Sequence, residues 1–176
     1  KKQVFEMLDD VYERIKRGVN ECMDVKLEDE SFPFEEIISR LNSCLPRGLR
    51  VFDVTEPVMK AGKIAFASFT IKISCDGENS RTVCEQLKEL LTSESIEVEK
   101  KSKKGIKTVD IKQGIKSFEV TEKFDFAELN VVLSAGSSDN VNPNLLISAF
   151  ENRFLVSCDT DITRNDLYNA DMELFR

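Results

Sequence analysis

A chain of 176 residues, 41% hydrophobic and 32% charged with only 7 glycines and 4 prolines, has the profile of a folded protein, not of a disordered or fibrous one. Its net charge is −7 and it contains no histidine, which removes Ser-His-Asp and Cys-His nucleophile systems and the usual general base near neutral pH. No apolar run approaches bilayer length and the N-terminus has no apolar signal core, so a cytoplasmic protein without a membrane partner is expected.

Residues Gln3 to Arg17 place Val4, Leu8, Val11 and Ile15 along one face, with Phe5 and Tyr12 widening it, which predicts an amphipathic helix. "CMDVKL", Cys22 to Leu27, reads as a short strand. In "FPFEEIISRLNSCL", Pro33 suits the first helical position, and Glu35 and Glu36 suit the positive end of the dipole. Phe34, Ile37, Ile38, Leu41 and Leu45 would form the buried face of that helix. Pro46 and Gly48 end it and release a strand, "LRVFDV".

The second part repeats this order more fully. Ile64 to Ser74 is β-prone, with Ala65, Ala67, Phe69, Ile71 and Ile73 on one face. Asn79 or Ser80 caps a helix carrying Val83, Leu87, Leu90 and Leu91. "SIEVEK" is a strand, and Lys100 to Phe118 holds the next one or two. "FAELNVVLSA" alternates Leu129, Val131 and Leu133. Asn142 and Pro143 open a helix through Leu145, Leu146, Ala149 and Phe150, and "FLVSCDTDI" closes as a strand.

Two β-α-β passages joined by a hairpin describe an α+β fold of ferredoxin-like sandwich units, a mainly antiparallel sheet with helices on one face. The expected division is residues 1–56 as a partial unit with an N-terminal helix, and residues 57–176 as the full domain. Between one and a half and two copies of the unit are implied.

Chemistry is sparse in this sequence. The cysteines Cys22, Cys44, Cys75, Cys84 and Cys158 form no C-x-x-C pair, and they are expected to be isolated reduced thiols. No phosphate-binding loop ending in Gly-Lys-Ser/Thr and no glycine-rich dinucleotide fingerprint appears. The expectation is no catalytic residue, no metal and no cofactor.

Charge is polarised instead. Lys100 to Phe118 carries seven lysines against one acid, Asp110, in an otherwise acidic chain of pI about 4.9. "IEVEKKSKKGIKTVDI" reads as a hairpin with Gly105 supplying positive φ at the turn. Edge lysines are often only solvated and discourage sheet aggregation. The functional reading makes Lys100, Lys101, Lys103, Lys104 and Lys107 phosphate contacts for RNA, which position a strand without reading it. The acidic pI and the lack of interleaved aromatics weigh against that, and an acidic partner protein would suit the same cluster.

A second candidate is "SAGSSDNVNP", Ser134 to Pro143, which enters a helix N-terminus. There Gly136, Ser137, Ser138 and Asn140 would receive an anion, against the commoner reading of a polar capping loop. The apolar stripe of the N-terminal helix most simply packs on its own sheet; a docking helix for a partner is the competing reading.

Four blocks in order, "ECMDVKL", "LNSCLPRGLRVFDV", "KKGIKTVDI" and "NPNLLISAF", resemble the bacterial radical SAM-associated (radical SAM-linked) domain family of unknown function. They run from about Glu21 to Phe150. The resemblance implies a non-catalytic accessory protein whose partner is a radical SAM enzyme, with RNA as a further candidate. A protein–protein interaction module without a nucleic-acid role is the alternative. The signature positions carried over are Asp24, Leu41, Asn42, Leu45, Pro46, Gly48, Lys104, Gly105, Asp110 and Pro143. The family's leading strand, histidine-containing helix start and Gly-Phe-Asn-Pro loop have no counterpart before "ECMDVKL". Either this chain has diverged there or a segment between Arg17 and Glu21 is missing; the second is the favoured reading, and histidines in such a segment would reopen the catalytic question.

Overall fold

The structure, a computed structural model, describes residues 17–23, 25, 32–102 and 105–175, without the side chains of residues 17, 101 and 102. Of these, residues 17–21 and Gly62–Phe175 form one compact unit and Cys22–Ala61 forms another. The expected N-terminal helix lies outside the described residues except for Arg17, which stands in β1, Arg17–Gly18.

In the smaller unit one helix forms, α1, Phe34–Cys44. Pro33 sits one position earlier than expected, at the cap, where its carbonyl accepts from the N–H groups of Glu36 (3.0 Å) and Ile37 (3.1 Å). Glu35 and Glu36 occupy the first turn, where the dipole favours acids. Ile37, Ile38 and Leu41 are half-buried and Phe34 is exposed, so the expected buried face is only partly covered. Leu45 caps the end, and Gly48 turns the chain at φ 97°, a conformation that penalises any residue with a Cβ.

The strands expected on either side of α1 are absent among the described residues. Cys22, Met23 and Val25 are in no ladder, and the rest of that stretch lies outside the description. "LRVFDV" is irregular, and its physical account is one side chain. The Asn42 carboxamide donates to the Val51 carbonyl and accepts from the Val51 N–H, both at 2.8 Å. That pair does locally what a partner strand would do, while Phe52 stays 65% exposed.

The larger unit continues with β2 (Phe66–Cys75), α2 (Ser80–Thr92), β3 (Glu97–Ser102), β4 (Gly105–Asp110), β5 (Ile115–Glu122), β6 (Ala127–Ser134), α3 (Pro143–Phe154) and β7 (Cys158–Tyr168). Its sheet runs β1-β7-β2-β6-β5; β2 is antiparallel to β6 and β7, β5 is antiparallel to β6, and β1 is a short parallel edge on β7. The passage β2-α2-β5 leaves a gap that β6 fills, and β6-α3-β7 leaves one that β2 fills. This interleaving is the ferredoxin-like α+β order expected from the sequence. The strand "SIEVEK" does not join this sheet. It forms β3, which pairs only with β4 in a separate hairpin inserted before β5.

Period-2 alternation in the strands and period-3.6 patterning in the helices meet in one core. Ala67, Phe69, Ile71 and Ile73 of β2, and Leu129, Val131 and Leu133 of β6, are buried under Leu87, Leu90 and Leu91 of α2 and Leu146 and Phe150 of α3. Asn79 caps α2 by accepting from the Thr82 N–H at 2.9 Å. Asn142 caps α3 with Pro143 in its first turn.

The cysteine expectation is corrected for two of the five residues: Cys75 and Cys158 form a disulfide. They are 83 residues apart, but they are register partners at the end of the β2–β7 ladder, with Cα atoms 4.0 Å apart. Facing positions of an antiparallel pair bring side chains within bonding reach, and only the strand pairing reveals it. Cys84 remains a buried thiol, and burial pushes its pKa up, with the Glu122 carboxylate adding to the effect. Among the described residues no helix is long and apolar enough to cross a membrane, and no group of three or more His, Cys, Asp or Glu could hold a metal.

Candidate functional site

The hairpin is fastened at its root. Ser93 ends α2, its hydroxyl donating to the Leu90 carbonyl at 2.6 Å, and the chain then buries Ile96 and Val98. Asp110 Oδ1 accepts from the N–H of Ile96 (2.8 Å) and from the N–H of Lys112 (2.9 Å). The Ile111 N–H donates to the Ile96 carbonyl at 2.9 Å, and the Lys112 ammonium donates to the Leu91 carbonyl. The two backbone donors, Ile96 first and Lys112 second, with the charge of Lys112, hold the Asp110 carboxyl below its ordinary value of 3.8. Asp110 is therefore a clamp that stays ionised.

Register decides which lysines act together. Val98 faces Val109, Lys100 faces Lys107 and Ser102 faces Gly105, so one face of the hairpin grades from apolar at the root to basic toward the tip. The other face pairs Glu99 with Thr108 and Lys101 with Ile106, and Ile106 is 63% exposed. Gly105 has φ 118°, the positive value expected of the turn. Lys103 and Lys104 lie outside the described residues, as does the side chain of Lys101.

The second candidate meets the first. After β6 the chain loops back, Ala135 bridging Asn140 and the Val141 N–H donating to the Ser134 carbonyl at 2.9 Å. Val141 packs so closely on Gly114, in the 3-10 turn Lys112–Gly114, that a Cβ on Gly114 would lie 2.3 Å from its Cγ2. This contact ties the hairpin's exit to the loop. Between them lies a cleft of about 180 Å³ whose polar lining is Lys100, Asp110, Gln113, Ser138, Asp139 and Asn140, with Leu145 of α3 at one side.

The cleft thus brings Lys100, Ser138 and Asn140 together. Lys107 stands across the hairpin from Lys100, and Gly136 and Ser137 are not in the lining. A Cβ on Gly136 would meet its nearest neighbours at 3.5 Å, an ordinary contact, so no close approach is built at that position. In the first turn of α3, Pro143 has no N–H, the Asn144 N–H donates to the Asn142 carboxamide (2.9 Å), and the Leu145 N–H to the Asn142 carbonyl (2.9 Å). Sequence reasoning missed Asp139, Gln113 and the role of Gly114. No local pattern marks Gly114, whose constraint comes from a residue 27 positions later in the chain.

Over residues 16–143 the chain matches a family described as an uncharacterized protein conserved in bacteria (DUF2344). The chain belongs to that family. No curated protein matches it, and no solved structure does. The DUF2344 match includes the hairpin and the loop and stops at the first residue of α3. Several of the positions singled out in the sequence have a visible task in the fold. Asn42 clamps Val51, Gly48 and Gly105 take positive φ, Asp110 closes the hairpin root and Pro143 starts α3. These tasks account for those residue types structurally.

Proposed function

We propose that this DUF2344 protein is a non-catalytic accessory protein that works beside a radical SAM enzyme and contacts the RNA backbone through the β3–β4 hairpin. The observation that carries the RNA half is the Lys100–Lys107 pair. Like charges directly opposed across two strands destabilise a hairpin, and no acid stands between them in the register. A polyanion along that face relieves the repulsion. Lys101, Lys103 and Lys104 extend the basic run in sequence toward the tip. The radical SAM half rests on the four ordered sequence blocks.

Binding of bulk tRNA, measured as affinity against salt concentration, tests the RNA half. Reversing Lys100 and Lys107 to Glu should lower the salt slope by about 1.4 to 1.8, the loss expected for two phosphate contacts. An unchanged slope and affinity would remove RNA from the proposal. A protein partner in place of RNA is favoured by one observation, the exposed Ile106 on the opposite face of the hairpin. Co-purification before and after nuclease separates the readings. A partner retained after nuclease and lost in Ile106→Lys supports a protein interface.

A further inference from the structure

The sheet face opposite the helices holds a second concavity, of about 350 Å³, within the range of small-molecule sites. Its polar lining is Ser68, Ser117, Glu119, Asn130 and Asn165, and Phe118 stands at its edge-strand side. It belongs to a different surface from the cleft at the hairpin root, and no residue is shared between them.

Two irregularities of the sheet converge on it. Between Ser68 and Phe69 the β2–β7 register shifts, Ser68 facing Asp166 and Phe69 facing Arg164, so Asn165 is left without a ladder partner. Between Ile115 and Ser117 the β5–β6 register shifts in the same way and expels Lys116, whose ammonium lies 5.6 Å from the centre of the Phe66 ring. A bulge costs pairing and re-aims a side chain, and bulges are frequent beside functional sites. Here one of them delivers Asn165 to the concavity.

The delivered side chain is held in one orientation. The Asn165 amide nitrogen donates to the Thr70 hydroxyl at 2.9 Å, and that hydroxyl donates to the Asn130 carboxamide oxygen at 2.8 Å. A hydroxyl has one proton, so this chain sets both amides at once. Among the described residues the Asn165 oxygen and the Asn130 nitrogen have no other protein partner, and the Glu119 carboxylate, facing Asn130 across the ladder, has no ion pair. The lining therefore offers acceptors on Asn165 and both oxygens of Glu119, and a donor on Asn130.

From this arrangement we infer that the open sheet face binds a guanine base. An acceptor-rich site with one amide donor matches a ring edge with adjacent N–H donors beside one carbonyl. Guanine presents N1–H and N2–H₂ next to O6, so a carboxylate can take both donors while the Asn130 amide donates to O6. Adenine and uracil each present fewer donors on that edge. The half-buried Val132, register partner of Ser68 and Ser117, supplies apolar surface for the ring. The base can come from a free nucleotide or from an RNA strand. This inference stands on the concavity and not on the lysine hairpin.

The test is titration of the ¹⁵N-labelled full chain with guanosine 5′-monophosphate, with adenosine 5′-monophosphate as control. Shifts should gather at Ser68, Ser117–Glu119, Asn130–Val132 and Asn165, with guanosine monophosphate bound at least tenfold more tightly. Glu119→Gln, at an exposed edge-strand position, should abolish that preference while leaving the rest of the spectrum unchanged. No shift at these residues up to several times the ~1 mM of weak affinities overturns the inference, and so does equal adenine binding or an unchanged preference in Glu119→Gln. A uridine strand carrying one guanosine distinguishes the sources: tighter binding than all-uridine assigns an RNA strand, and equal binding assigns the free nucleotide. The double variant Lys100→Glu, Lys107→Glu should keep the guanosine monophosphate response. Its retention with a lost tRNA salt slope, or its loss with the slope intact, tells the failure of one reading from that of the other.

Discussion

The helices α1 and α2 are similar in length and amphipathic design, yet they are held in different ways. α2 buries Val83, Cys84, Leu87, Leu90 and Leu91 against a sheet, whereas α1 buries no residue and its following segment is pinned by the amide of Asn42. The larger unit is stabilised by apolar area over a continuous ladder, and the smaller one by discrete polar pairs. Helical periodicity alone does not say which regime a helix will enter, because a stripe gains energy only from what covers it.

The largest test of that contrast is truncation of each helix's central leucine. Leu87→Ala should cost about 2–5 kcal/mol in urea unfolding, because Leu87 is fully buried and leaves a cavity. Leu41→Ala, half-buried, should cost about 1 kcal/mol or less. Equal losses would break the comparison.

Next comes the covalent tie, which belongs to the larger unit alone. Losing the disulfide in Cys158→Ser should cost roughly 2–5 kcal/mol, given the long loop it closes. Thiol counting on the unfolded, unreduced chain checks the premise: five reactive thiols in place of three would mean that the bond is not made.

A smaller effect is expected from the polar clamp. Asn42→Ala leaves the Val51 N–H and carbonyl without their partner, at about 1–3 kcal/mol for a part-buried pair. Hydrogen exchange should quicken at Val51 and leave the β2 amides protected. Uniform acceleration across both units would contradict the contrast.

The smallest concerns acid. The Asp110 carboxyl is lowered by its two backbone donors, so it contributes stability that is present above its unfolded pKa near 3.8 and is lost as pH falls through the lower folded value. Asp110→Asn should flatten stability against pH below about 4 and speed exchange at Ile96. An unchanged acid limb with slow exchange at Ile96 would remove the clamp from the account of the hairpin.

Much of this was legible from local pattern. Asn79 and Asn142 as caps, Gly105 as a turn residue and the inward face of Phe69, Ile71 and Ile73 follow from short-range sterics and alternation, which act within a few residues. The candidate site was legible only in halves. Lys100 and the Ser138–Asn140 loop stand out in sequence, but nothing local says that a glycine at 114 lets them share a cleft. "LRVFDV" misled because strand propensity is realised only when a partner edge is within reach, and here a single amide took that place.

The sequence by itself determined the element types from β2 to β7, the polarised charge of the hairpin and the residues that open α2 and α3, because dihedral preference and hydrophobic period are local properties. Only the tertiary structure decided that β3 leaves the main sheet, that Cys75 meets Cys158, and that two register shifts place Asn165 and Lys116. Each of these depends on which strands lie side by side and in what register, and that is set by the packing of the whole core.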